Sequence, residues 1–207
     1  MAEAVSRAVG VPLTGPDLAA VAPTAARAME QSRASDRERA VAYLEALFLA
    51  AGVPSARLPE VRELLMRLHG ELHLWSGIAP DSHETLARLR GAGLRLGVVS
   101  NSDGRVEEAL TAAGLRPYFD VVVDSALAGV EKPDPAIFRP ALEALNVSAE
   151  EALYVGDLYE VDVLGANAAG MPAVLLGTPA LPGPLGCVTV GSLRALADDL
   201  LKERLAS

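Results

Sequence analysis

The chain has 207 residues, of which 51% are hydrophobic and only 4% aromatic, with a formal net charge of −9. That length accommodates a core domain and a small accessory one, with interiors built from Ala, Leu and Val rather than from rings. The acidic balance and the absence of any Lys/Arg run argue against a nucleic-acid-binding surface, the single cysteine, Cys187, excludes an internal disulfide, and no run approaches the roughly 20 apolar residues of a membrane span.

The amino terminus has no basic segment followed by an apolar one, so no secretion signal is expected and the cytoplasm is the expected location. Residues 1–75 read as helices only. Met1 to Gly10 forms the first, and Val11 to Pro23, punctuated by Pro12, Gly15, Pro16 and Pro23, reads as a loop. Ser35-Asp36-Arg37-Glu38 has the spacing of a capping box. Val41, Leu44, Leu47 and Phe48 then share one helical face, and Gly52 can end that helix. Pro59 opens another helix, with Val61, Leu64, Leu65, Leu68 and Leu72 at helical spacing. His69 and His73 lie four apart on it, but Gly-Glu-Leu between them is not the Glu-x-x of a zinc protease, and they read as exposed or helix-terminal residues. Trp75 to Pro80 is the expected hinge.

From Asp81 the pattern changes. A helix starts at Asp81-Ser82-His83-Glu84 and stops at Gly91 and Gly93, and a strand follows at 94–99. Ser102 or Asp103 opens a helix that ends at Gly114. Strands at 120–123, 153–156 and 173–176 alternate with helices at 134–145, 160–169 and 192–200. Such alternation predicts one parallel sheet with helices on both faces.

Three polar clusters follow strand-like runs. The first is Ser100-Asn101-Ser102, a hydroxyl and an amide at the end of Leu96-Gly97-Val98-Val99. The second is Gly129-Val130-Glu131-Lys132-Pro133-Asp134-Pro135. The third is Tyr154-Val155-Gly156-Asp157-Leu158-Tyr159-Glu160-Val161-Asp162, a short strand ending in glycine and a carboxylate, with a second carboxylate five residues on. Two acids at the carboxyl end of a buried strand are poor core material but suit a hard cation, and ligands of open α/β sheets bind at that end. The bland alternatives are that Asp157 and Asp162 cap the next helix, that Lys132 is a solvated lysine in a proline-rich turn, and that Ser100 and Asn101 cap a strand-to-helix turn. Cys187 has no His or acidic neighbour in sequence and reads as an inert thiol.

The order hydroxyl, lysine, paired aspartates resembles motifs two, three and four of the haloacid dehalogenase superfamily, most closely the branch with a helical cap. The resemblance covers nearly the whole chain and is most specific over residues 76–177. It implies a Rossmann-like, three-layer α/β fold with a parallel sheet at 76–207 and an N-terminal helical cap at 1–75. It further implies magnesium-dependent hydrolysis of a small phosphorylated metabolite through an aspartyl-phosphate, although some relatives displace halide from small haloacids instead. By the same resemblance Ser100 and Asn101 bind the phosphoryl oxygens, and Lys132 stabilises negative charge on the nucleophile and the transferring group. Asp157 coordinates Mg2+ and Asp162 orients that site. The family's nucleophile sits in an Asp-x-Asp motif after the first strand, and no Asp-x-Asp occurs in this sequence. Either the sequence begins late, or the protein is a non-catalytic module that binds a ligand or a partner. The cost of losing a central strand favours the former.

Overall fold

A computed structural model of the chain describes residues 1–30, 36–72, 77–177 and 186–205. The chain divides into two compact units, Met1–Gly77 and Ile78–Ser207.

The first unit is helical: α1 (Ala2–Val9), α2 (Gly15–Glu30), α3 (Asp36–Ala50), a 3-10 turn at Ser55–Arg57, and α4 (Leu58–Leu72). Ala2, Val5 and Val9 fall three and four residues apart and are the buried face of α1. They share a core with Leu47, Phe48, Val61 and Leu65. The loop expected over Val11 to Pro23 is largely helix α2. Its start is a capping box with aspartate in the third position. The Asp17 carboxylate accepts from the Thr14 N–H (2.8 Å) and hydroxyl (2.6 Å), and the Asp17 N–H donates to Thr14 Oγ1 (3.3 Å). Pro16 lies in the first turn, where its missing N–H has no partner to lose. Pro23 removes one helical bond, and the burial of Leu18 and Ala25 on either side offsets that loss. Ser35, His73 and the Trp75 end of the expected hinge lie outside the described residues.

The second unit alternates helices and strands: α5 (Ser82–Gly91), β1 (Gly97–Ser100), α6 (Val106–Ala112), β2 (Val121–Asp124), α7 (Ser125–Ala128), a 3-10 turn at Pro135–Phe138 continuing into α8 (Arg139–Leu145), β3 (Tyr154–Gly156), a π-helical turn at Tyr159–Val163 continuing into α9 (Leu164–Ala168), β4 (Ala173–Leu176), β5 (Val188–Val190) and α10 (Leu193–Leu205). All ladders are parallel, which gives the expected Rossmann-like α/β class. Among the described residues the strands form two sheets rather than one: β1 pairs with β2, and β3-β4-β5 form a second group. Hydrophobic runs assign strands without saying which edges meet. Among the described residues the link from β3 to β1 is a side chain, not a ladder: the Tyr154 hydroxyl lies 3.0 Å from the Val99 carbonyl.

Ile137, Phe138, Ala141, Ala166 and Val123 form the core beneath the strand ends. Ile137 and Phe138 are almost wholly enclosed, and burying each such side chain contributes about 1.5–3 kcal/mol. Phe138 meets the Tyr154 ring edge-on, with centroids 4.9 Å apart. This contact fixes the ring whose hydroxyl reaches the site.

Candidate active site

The site is assembled at the ends of strands. Ser100 ends β1 and is the register partner of Asp124, which ends β2. Asp157 follows Gly156 at the end of β3, Lys132 comes from the loop after α7, and Asp162 lies in the π-helical turn.

A continuous set of hydrogen bonds joins these residues. The Lys132 N–H donates to Asn101 Oδ1 (2.8 Å), and Asn101 Nδ2 donates back to the Lys132 carbonyl (3.0 Å). Lys132 Nζ donates to Asp162 Oδ1 (2.8 Å) and to the Tyr154 hydroxyl (2.9 Å). Asp162 Oδ2 accepts the N–H groups of Asp157 (3.0 Å) and Leu158 (2.9 Å). Ser100 is half-buried, and its hydroxyl makes a long contact of 3.4 Å with the Asn101 carbonyl.

This geometry separates the expected roles. Asn101 spends both ends of its amide on the backbone of Lys132, so it fixes where the lysine begins rather than presenting that amide outward. Both oxygens of Asp162 are engaged, and the side chain is only 4% exposed. Asp162 therefore holds Lys132 and the Asp157 backbone in place and offers a cation little. An ammonium has three donors, and the two bonds to Asp162 and Tyr154 leave one for a ligand.

Charge follows the packing. Burial is the largest single influence on Lys132 and by itself lowers its pKa, but Asp162 and Tyr154 together outweigh it and hold the ammonium above its ordinary value. Burial pushes the Tyr154 hydroxyl up to about 12, against the pull of Lys132. The Asp157 residue reaches solvent. Protein packed around its carboxylate, and the charge of Asp162, nevertheless raise its pKa. A carboxylate in that position is relieved by a cation. Among the described residues no group of three or more His, Cys, Asp or Glu gathers to enclose a metal. Magnesium does not require such a cage, since it takes one or two carboxylates and completes its shell with water and substrate phosphate. Asp157 fits that demand.

Two glycines allow the close approaches. A Cβ on Gly156 falls 2.3 Å from Asp162 Cγ, and one on Gly165 in α9 falls 3.0 Å from Pro133 Cα. We expect Gly156→Ala to displace Asp162 and to destabilise the protein by about 1–3 kcal/mol, the scale of overpacking, measured by denaturant unfolding. An unchanged midpoint would show that the Asp162 turn yields freely.

Three participants carried no sequence signal read as functional. Tyr154 read only as a strand residue, and Asp124 and Ser125, just past the strand expected at 120–123, were given no role. Of the expected histidine pair, His69 is half-buried in the last turn of α4. Cys187 is half-buried on the segment leading into β5. No described helix is long and apolar enough to cross a membrane.

Parallel strands and the turns that follow them thus bring a lysine, a hydroxyl and two aspartates together. The family model for haloacid dehalogenase-like hydrolases matches residues 7–170, and the chain belongs to that family. It is 41% identical over 130 residues to haloacid dehalogenase-like hydrolase domain-containing protein 3 of Mus musculus, covering 62% of this chain and 51% of that protein. It is 40% identical over 139 residues to a phosphoserine phosphatase of Thermus thermophilus, covering 67% and 53%. The crystal structure of the HAD phosphatase from Thermococcus onnurineus superposes with a TM-score of 0.57 at 27% identity, covering 89% of this chain and 90% of that one. The chain spans about half the length of the curated relatives it matches.

Proposed function

We propose that this chain carries the phosphate-binding and charge-stabilising part of a magnesium-dependent phosphatase acting on a small phosphorylated metabolite. The observation that carries the reading is the buried Lys132–Asp162 pair, tied to Tyr154 and placed beside the raised carboxylate of Asp157. The likeness to a phosphoserine phosphatase supports the phosphate ester as the substrate class.

In this reading the Ser100 hydroxyl donates to a phosphoryl oxygen. Lys132 directs its remaining N–H at the same group and offsets the negative charge that gathers during transfer, from a site where it needs no reorganisation. Asp157 holds Mg2+, which when bound neutralises phosphoryl charge. Asp162 and Asn101 position Lys132 from opposite ends, one at the ammonium and one at the backbone. Residues 1–75 correspond in this reading to the family's helical cap. The aspartate that accepts the phosphoryl group has no Asp-x-Asp counterpart among the 207 residues. These residues alone therefore bind better than they turn over. The missing motif also supports a second reading, a non-catalytic module that binds a phosphorylated ligand.

Calorimetric titration of the 207-residue chain tests this. Inorganic phosphate is expected to bind more tightly with magnesium chloride present, and Asp157→Asn is expected to abolish that gain. Turnover of an aryl phosphate by the same chain should stay at background. Phosphate binding indifferent to magnesium and to Asp157 would defeat the proposal. Robust turnover abolished by Asp157→Asn would show that another carboxylate serves as nucleophile.

A further inference from the structure

Asp124 and Ser125 belong to none of the family-like motifs, yet both are nearly enclosed, 5% and 7% exposed. Their side chains point across from the end of β2 to the turn that follows β1. Asp124 Oδ1 accepts the N–H of Gly104 (3.0 Å), and its Oδ2 that of Val106 (3.2 Å). The same Oδ1 accepts the N–H of Ala126 (3.0 Å), so one carboxylate caps α7 while gripping the start of α6. Ser125 Oγ accepts the Ser102 N–H (2.9 Å) and donates back to the Ser102 carbonyl (3.2 Å). Alternate residues 102, 104 and 106 are thus fastened to the end of β2 and the start of α7. The sequence expectation that Ser102 or Asp103 opens the helix fails for this reason: α6 starts at Val106, its preceding residue Arg105 supplies no side-chain cap, and Asp124 provides the oxygen from another strand.

We infer that Asp124 and Ser125 are positioning residues for phosphate binding, acting through the Ser100–Val106 turn. The inference rests on the proposed role of Ser100. A hydroxyl aids binding only if its position is set before the ligand arrives, and a turn such as residues 101–105, without anchors, has many conformations to lose. The β1–β2 ladder fixes Ser100 on one side, and the Asp124–Ser125 clasp fixes the chain just beyond it. Asn101 lies between them and grips Lys132. The clasp therefore bears on both the hydroxyl and the backbone origin of the ammonium. Asp157 follows the end of β3, outside the clasp, so magnesium binding is not governed by it.

The test uses the 207-residue chain with inorganic phosphate and magnesium chloride as probes. Ser125→Ala is expected to weaken phosphate binding about tenfold, the scale of a lost backbone clamp. Ser125→Thr, which keeps the oxygen, is expected to restore it. Magnesium affinity without phosphate should be the same in all three proteins. Asp124→Asn, which keeps the shape but not the acceptor pair, should also weaken phosphate binding. If that variant fails to fold, the Ser125 series decides alone. Wild-type phosphate binding that survives Ser125→Ala unchanged would overturn this inference and leave the proposed function standing. Equal losses of phosphate and magnesium affinity would reduce the clasp to a structural support and overturn it as well. No phosphate binding by the wild-type chain would overturn both readings.

Discussion

Asp162→Ala is expected to destabilise the Ile78–Ser207 unit by about 3–5 kcal/mol, the cost of removing one partner from a buried ion pair. The variant leaves the Lys132 ammonium enclosed with only the Tyr154 hydroxyl, and it strips the acceptor from the N–H groups of Asp157 and Leu158. The paired replacement of Lys132 by Met and Asp162 by Leu should recover much of the loss, because it removes both charges from the interior. Urea unfolding of the single and double variants separates the two effects. A single variant as stable as the wild type would mean that water reaches the pair freely. The pH dependence follows from the direction of the lysine shift. Its folded pKa lies above the ordinary 10.5, so its contribution is complete below that value and is lost only as pH rises through the folded pKa. The pair is therefore expected to hold across the neutral range and to fail in strong alkali.

In a chain extended at its amino end by a strand bearing an Asp-x-Asp segment, Lys132→Ala is expected to lower kcat on an aryl phosphate by about 100- to 1000-fold, the effect of deleting one preorganised group that meets transition-state charge. Lys132→Arg should not rescue it. The planar guanidinium is bulkier than an ammonium, and Asp162 and Tyr154 enclose a single point charge. Steady-state kinetics of the three extended proteins decides it, with circular dichroism to confirm folding. If the extended wild type is active and Lys132→Ala retains its kcat, the lysine is only a structural counter-ion to Asp162.

The strands were legible because short apolar runs bounded by Gly, Pro and polar residues stand out against helical periodicity. The four strands expected at 94–99, 120–123, 153–156 and 173–176 each overlap an observed strand. Their grouping into two parallel sheets was not legible, since pairing depends on which edges meet. The strand at Val188–Val190 has too few residues to show alternation. Helix α2 was hidden by its prolines. A Thr-Gly-Pro-Asp start is a capping signal as well as a turn signal, and only the bonds between Thr14 and Asp17 tell them apart. At the site, the order of Ser100, Lys132, Asp157 and Asp162 along the sequence was enough to suggest that they meet. What each side chain holds was not. The Asn101 amide is engaged by a backbone 31 residues away, and the Tyr154 ring whose hydroxyl meets the lysine packs edge-on against Phe138.

Gly165 extends that point to a residue with no polar atom in its side chain. Its helix lies so near the Pro133 backbone that a single methyl group would have to find room at 3.0 Å. Main chain rests on main chain there, and main chain has no rotamers with which to give way. The backbone of Lys132, one residue before Pro133, is thus held near α9 as well as by Asn101. A charge held by a long, flexible stem is accurate only if its root does not wander. Here the steadiness of the root depends on the absence of a carbon atom.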